Sequence, residues 1–541
     1  MPDFFDPVNL WADFDPSLPE PAINLISEYE RDGINYSEFY FSPLAPVVSC
    51  AAPTRAFGIL ARHPVTAGLA QTLVFMPGDV DTGIDRPLIA ELCGNGYAVL
   101  SIDLRGSGEG AARGATFYSA SDAAGNFLET ELYSAANPKK SCWYIWGAVC
   151  QKAVSLAETF ENLNPRPLLL AKGLTASAGM ILAAADKRFA GAALLFCNER
   201  QNFAGGEGEK RWMGGFSAIA NAPHVKCPVL FMGAANDDRF TFVNFHEIFA
   251  RIPPPGALMS VSAGLCREIG FAESRNIGLF LSAAAGGQTL PGKPAISFSV
   301  SENKLYFSVK PDMSAPVSRC VLFYAYGGEA RDRNWENKEL FISGEGEYTA
   351  NIDALDIPEH MYIYGAVYYE NGLSLCTRLI KKTAAEFGVP AKKITQGHLL
   401  YAPGSGRDSF TTVENGRLVH SGDNVEVIKG PLGIEGVRAA FGKLATFKPG
   451  DPRFTIPGSA IQINAYSPAP GAAVVILRNG DGVKYYSKEI PLSGGEVWQK
   501  IVLSAAMFKT EAMTALQDFS GIKLLYFDKP EGLAVSSILW T

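Results

Sequence analysis

Residues 167–180 read PLLLAKGLTASAGM: an apolar strand, a bend crowded with small side chains, and the opening of a helix. When a buried strand ends in Gly, Ala, Ser and Thr, strand and helix can approach closely, and one residue is lifted clear of the sheet where its hydroxyl can act as a nucleophile. The usual pattern for such a bend is G-x-S-x-G, and two frames compete. Gly173-Leu174-Thr175-Ala176-Ser177 puts Thr175 at the nucleophile position; Thr175-Ala176-Ser177-Ala178-Gly179 puts Ser177 there. The apolar run 168–171 stops just before Gly173, which favours a bend at Thr175. A turn with no chemistry is the third reading.

Outward from this stretch, apolar runs alternate with helical patterns. Towards the N-terminus lie YAVLSIDLRG (97–106), an amphipathic helix near 86–94 and TLVFMPG (72–78). Before them, TRAFGILARH (54–63) reads as the antiparallel partner of a strand near 37–41, and the residues before that strand read as irregular. A long helix is expected over 141–162. After the bend come a helix at 178–186, FAGAALLFC (189–197), CPVLFMG (227–233), a helix at 242–251, ALMSVS (257–262) and a closing helix at 271–284. Nearly continuous apolar strands imply burial on both faces of a parallel sheet, so residues 1–284 are expected to form a doubly wound α/β domain with an N-terminal extension. Ligands of such sheets bind at the carboxyl ends of the strands.

The pattern changes after the Gly/Pro-rich hinge at 284–294. Alternating apolar and polar residues around turn signals such as Glu370-Asn371-Gly372 predict an all-β sandwich over 295–388, of the fibronectin or immunoglobulin kind. A second run of short strands over 391–541 predicts a jelly-roll-like sandwich. Trp335 reads either as a ligand platform or as the closure of a sandwich edge.

The bulk numbers bound the partners. A chain of 541 residues, 47% hydrophobic and 19% charged, is globular and long enough for two to four domains. A net charge of -8 without a basic stripe argues against nucleic acid or an anionic membrane. Nine scattered cysteines contain no C-x-x-C pair and are expected to be reduced and mostly buried, Cys197 and Cys227 within strands. Six dispersed histidines carry no metal spacing, so neither a metal nor a cofactor is expected. The acidic, Pro-interrupted start MPDFFDPVNLWADFDPSLPE resembles no signal or transit peptide, and no apolar run has the length of a membrane span; the expected location is cytoplasmic.

Residues 54–284 resemble the α/β-hydrolase superfamily, in layout its acetyl xylan esterase and dienelactone-hydrolase-like branches. Four features carry the resemblance: Asp103-Leu104-Arg105-Gly106-Ser107-Gly108 as the D-x-R-G-x-G turn after the fourth family strand; Thr175 to Gly179 at the elbow; Asp186-Lys187-Arg188-Phe189 leading into the sixth; and Gly233-Ala234-Ala235-Asn236-Asp237 after the seventh. The resemblance implies that an elbow hydroxyl, Ser177 or Thr175, attacks an acyl carbon, that a histidine after the eighth strand accepts its proton, and that an acid after the seventh orients the histidine. Asp237 or its neighbour Asp238 matches the acid, although either also suits the N-cap of the next helix. Backbone N–H groups near Gly78 and Asp79, with that of Ala176, match the oxyanion hole.

The loop after the eighth strand, SAGLCREIGFAESRN (262–276), contains no histidine; Cys266 or Arg267 stands where one is expected. His246 or a sandwich histidine (His360, His398, His420) would have to substitute, while His63 and His224 precede strands. The triad therefore reads as degenerate, and loss of a general base removes typically ~10²–10⁴-fold. The last block resembles jelly-roll accessory domains of carbohydrate-active enzymes, in EVWQKIVLSAAMF, FSGIKLLYFD and VSSILWT, which implies that exposed aromatics such as Tyr485 and Tyr486 stack on sugar rings. Two functions remain open: an ester hydrolase of the acyl-carbohydrate deacetylase type, acting on a small-molecule or carbohydrate ester, and a catalytically silent hydrolase fold serving as a carbohydrate-binding or assembly scaffold.

Overall fold

The computed structural model describes residues 6–541 apart from 19–21, 43–54, 65–68, 77–83, 105–115, 117–137, 198–204, 240, 254–255, 266–268, 288, 345, 389–392, 395–396, 415–416, 420–423, 455–458, 481–483 and 529–531. Two compact units emerge: 1–233 with 243–260 and 273–292, and 234–242 with 261–272 and 293–541.

A nine-stranded sheet organises the N-terminal half: β1 (Ile23–Arg31), β2 (Ile34–Phe41), β3 (Ala56–Arg62), β4 (Gln71–Met76), β5 (Tyr97–Asp103), β6 (Leu168–Lys172), β7 (Gly191–Leu195), β8 (Val229–Ala234) and β9 (Ala257–Ser262). Their spatial order is β1-β2-β3-β5-β4-β6-β7-β8-β9. The pairs from β5 through β4, β6 and β7 to β8 are parallel; β1, β2, β3 and β5 pair antiparallel. This is the doubly wound α/β-hydrolase arrangement, in which the chain returns from β5 across β4 to β6.

The central strands are buried almost end to end, because a parallel sheet carries helices on both faces. The longer helices among the described residues are α1 (Arg86–Gly94), α2 (Cys142–Ala157), α3 (Leu174–Ala185), α4 (Glu207–Phe216), α5 (Phe242–Phe249) and α6 (Phe271–Ala284). α2 starts where Ser141 caps it, its Oγ accepting from Tyr144 N at 3.2 Å, and all sixteen of its residues are buried. Part of that cover comes from the N-terminal segment: Trp11 stacks on Tyr144 at 4.6 Å and lies against Gly147, where a Cβ would meet its ring at 2.6 Å.

Two elements differ from the sequence reading. β1 lies in the segment read as irregular; it is exposed along most of its length, so its apolar residues show no buried face to read. Its signal was the turn Asp32-Gly33, with φ 54 and 75, which closes the β1–β2 hairpin. And α3 begins at Leu174, four residues before the expected 178, which changes the frame of the bend.

The C-terminal half is antiparallel β throughout its sheets and forms two sandwiches. The first holds eight strands between Ala295 and Lys382; the second packs two six-stranded sheets over a core that includes Val437, Ile463, Ile538, Val475, Leu525 and Phe527. Trp335 is buried and packs against Tyr364 at 5.3 Å, in keeping with the edge-closing reading. Charged groups tie the sandwiches together: Asp332 pairs with Arg478, Asn334 Nδ2 donates to Asp451 Oδ2 at 2.8 Å, and Arg453 Nη1 to Glu336 Oε2 at 2.7 Å.

Candidate functional site

β6 ends at Lys172 and α3 starts at Leu174, so one residue makes the bend. That residue is Gly173, with φ 66 and ψ -130. The conformation is open to glycine and strained for residues with a Cβ. Gly173 N donates to Leu195 O on β7 at 2.8 Å, which pins the bend to the neighbouring strand. Small residues then let α3 settle on the sheet: a Cβ at Gly179 would meet Leu194 at 2.9 Å and Ala171 at 3.0 Å.

Thr175 and Ser177 both lie inside α3, 3% and 6% exposed. Thr175 Oγ1 sits 2.9 Å from Met76 O and 3.0 Å from Lys172 O, so its proton is shared between two backbone carbonyls at the ends of β4 and β6. Ala176 N donates to Gly173 O at 3.0 Å as the helix begins. Gly78 and Asp79 lie outside the described residues. So do Arg105–Gly108 of the D-x-R-G-x-G turn, whose Asp103 is buried and accepts from Thr116 N at 2.8 Å. The Asp186–Arg188 motif ties helix ends together: Arg188 reaches Asp186 Oδ2 at 2.6 Å and, from α2, Ser155 Oγ at 2.8 Å.

Asp237 belongs to the second unit and is fully buried. Its Oδ1 accepts from Arg239 N at 2.8 Å, an Asx-type turn ahead of α5. Asp238 Oδ2 lies 3.8 Å from Arg331 Nη1. The neighbouring Asn236 donates to Arg333 O at 2.9 Å and accepts from Gly264 N at 2.9 Å, so the segments after β8 and β9 are held by the sandwich residues around Arg333.

Of the histidines, His246 is half-buried on α5 with its ring 6.5 Å from Phe249, and His63 Nδ1 lies 3.1 Å from Gly33 O. His224 ends a short 3-10 turn, His360 and His398 belong to the second unit, and His420 is outside the described residues, as are Cys266 and Arg267. The seven cysteines among the described residues are buried and form no disulfide. Burial pushes the Cys93 thiol up to about 11 and those of Cys227 and Cys376 up to about 12, which denies them thiolate character near neutral pH. Among the described residues no three His, Cys, Asp or Glu side chains gather as a metal site, and no helix is long and apolar enough to cross a membrane.

On the second sandwich, Tyr486 is 8% exposed and part of the core, whereas Tyr485 is 47% exposed. An aromatic that the sequence reading passed over stands on the opposite sheet. Trp498 Nε1 donates to Pro431 O at 3.1 Å, its ring lies where Cβ atoms at Gly430 and Gly436 would each come within 2.6 Å, and Tyr466 is 5.5 Å away. The signal for it was the glycine pair in KGPLGIEG (429–436).

No protein-family model matches the sequence, and no curated protein matches it. Solved structures similar to it include a cold-adapted esterase from an Arctic intertidal metagenomic library (16% identity, 49% of this chain and 99% of that one, TM-score 0.35). An acetyl xylan esterase from Paenibacillus sp. R4 gives 14% identity, 49% and 88% coverage and a TM-score of 0.38. Acetyl xylan esterase 1 from Thermoanaerobacterium sp. JW/SL YS485 gives 13%, 52% and 94%, and 0.42. Likenesses this low carry no weight beside the strand order itself.

Proposed function

We propose that this chain is a hydrolase-fold protein that performs no acyl transfer at the bend after β6 and works instead by binding. One observation carries the reading: the residue between β6 and α3 is Gly173. A nucleophile elbow holds its hydroxyl on the strained residue of the strand-to-helix turn. Aligned on that turn, the pattern is Ala171-Lys172-Gly173-Leu174-Thr175, with a hydrogen atom where the attacking group belongs. The Thr175 proton is committed to carbonyl oxygens, and Ser177 stands a further two residues into the helix.

The test treats the full chain with a fluorophosphonate probe and with p-nitrophenyl acetate and acetylated sugars, beside the Thr175→Ala/Ser177→Ala double variant. The expected result is no covalent label and equal, background-level turnover. Labelling at Thr175 or Ser177, or turnover that the double variant abolishes, restores the esterase reading.

The platform at Trp498 favours carbohydrate as the bound class. The indole is seated on two glycines and its N–H is already bonded, so it pays little ordering entropy when a sugar stacks on it. Along the same outward row of the strand Ala460–Tyr466 lie Gln462 and Asn464, whose Nδ2 donates to Ser537 Oγ at 2.8 Å, and the pairing strand places Lys500 opposite Asn464, so polar groups continue the row that Tyr466 ends. A glycan array read with the full chain and with Trp498→Ala checks it: binding that survives the substitution removes this surface from the reading.

A further inference from the structure

At the opposite end of the strands from the bend lies a cleft of about 220 Å³. Arg62, His63, Asn35, Asn162 and Tyr97 supply its polar lining, with Gly96, Ala98 and Ala70 completing the floor. Its position follows from register: Asn35 pairs with Arg62 at the end of β3, and Tyr97 opens β5. β6 alone is five residues long, so the cleft is at least roughly 17 Å from Gly173 and independent of what happens there.

The chemistry of the lining is one-sided. Among the described residues Arg62 has no carboxylate partner, and its one hydrogen bond runs from Nη1 to Glu161 O at 3.3 Å. Among the described residues the side chains of Asn35, Tyr97 and Asn162 make no hydrogen bond, and those that line the cleft include no Asp or Glu. Gly33 O at 3.1 Å accepts from His63 Nδ1, which leaves Nε2 of that ring for a ligand. In a chain of net charge -8, an arginine without a carboxylate partner usually faces either solvent or an anion. Here it faces a concavity with two uncommitted carboxamides and a phenol.

We propose that this cleft binds a small oxyanion, a carboxylate or phosphate group, with the Arg62 guanidinium forking two of its oxygens and Asn35, Asn162 and Tyr97 donating to the rest. Guanidinium geometry matches paired oxygens of either group, and bonds to a charged acceptor are the strong class of hydrogen bond. Asn162 adopts φ 65, which asparagine and aspartate tolerate better than most residues. Aspartate tolerates the same conformation, which makes Asn162→Asp a substitution that preserves shape while adding a repelling charge.

Calorimetric titration of the full chain with sodium phosphate and, separately, sodium malonate tests this, with sodium chloride of equal ionic strength as the blank. Saturable one-site binding of at least one probe is expected, weakened about tenfold or more by Arg62→Ala and by Asn162→Asp and less by Arg62→Lys. The ligand-free melting temperature of each variant establishes that it folds. The ranking of the two probes identifies the group. Absence of saturable binding by either, or binding that Arg62→Ala and Asn162→Asp leave unchanged, overturns the proposal. Neither outcome bears on the bend at Gly173.

Discussion

Replacing Gly173 with alanine tests the feature on which the functional reading turns. With φ 66 and ψ -130 the residue sits where a Cβ is strained, at a cost of about 1–3 kcal/mol. Alanine also stiffens the unfolded chain, which returns about 0.4–1 kcal/mol, and it is a poorer residue than glycine ahead of a helix. The net expectation is a loss of about 1–2 kcal/mol, or about 2–8 °C in melting temperature for a unit of this size. The matched control is Gly94→Ala, at the exposed end of α1, where an added Cβ meets nothing within 4 Å. There alanine is expected to gain up to about 1 kcal/mol. Scanning calorimetry compares the two variants, and hydrogen exchange over residues 168–185 locates the loosening. If Gly173→Ala melts at or above the parent protein, the bend does not require a positive φ. The nucleophile frame then reverts to Thr175.

Gly147→Ala drives a methyl into the Trp11 ring, 2.6 Å from the ideal Cβ, and is expected to cost about 1–3 kcal/mol by overpacking; pairing it with Trp11→Ala in a double-mutant cycle should give less than the sum of the single losses. The raised thiols predict alkaline instability. In the unfolded chain cysteines ionise near pH 8.5, whereas in the folded chain Cys93 holds its proton to about 11 and Cys227 and Cys376 to about 12. Stability is therefore complete below about pH 8.5 and falls as pH climbs towards those values, which urea midpoints at pH 7 and pH 10 measure, with Cys227→Ala flattening the decline. At pH 8 in the native state a thiol reagent should modify no more than the two cysteines, Cys50 and Cys266, that are outside the described residues.

How far the sequence could be read follows from what each element depends on. Strands β4 to β8 were legible because burial on both faces leaves unbroken apolar runs, as in LVFM of β4 and VLFM of β8. β1 escaped because an exposed edge strand imposes no such pattern, and its hairpin turn Asp32-Gly33 was the cue to use. The bend was legible, but its helix starts at Leu174, four residues before the expected 178. Matching G-x-S-x-G looks for a hydroxyl, whereas the backbone asks which residue can take a positive φ, and between strand and helix only Gly173 takes it at no steric cost. Membership of the segments after β8 and β9 in the second unit was out of reach, since Asn236 and Arg333 are 97 residues apart and no local signal joins them.

The ion pair of Asp332 with Arg478 has a practical corollary for anyone wishing to borrow the last sandwich as a portable tag. Burial raises the Asp332 carboxyl against the pull of Arg478 and of Arg331, whose Nε lies 3.8 Å away, so the last sandwich supplies the nearer of two countercharges to this buried acid. Excising either sandwich would strand half of that pair, at roughly 3–5 kcal/mol if it stayed buried. Neither piece is freely transplantable, and the pair is best moved, shortened or evolved as a single cassette.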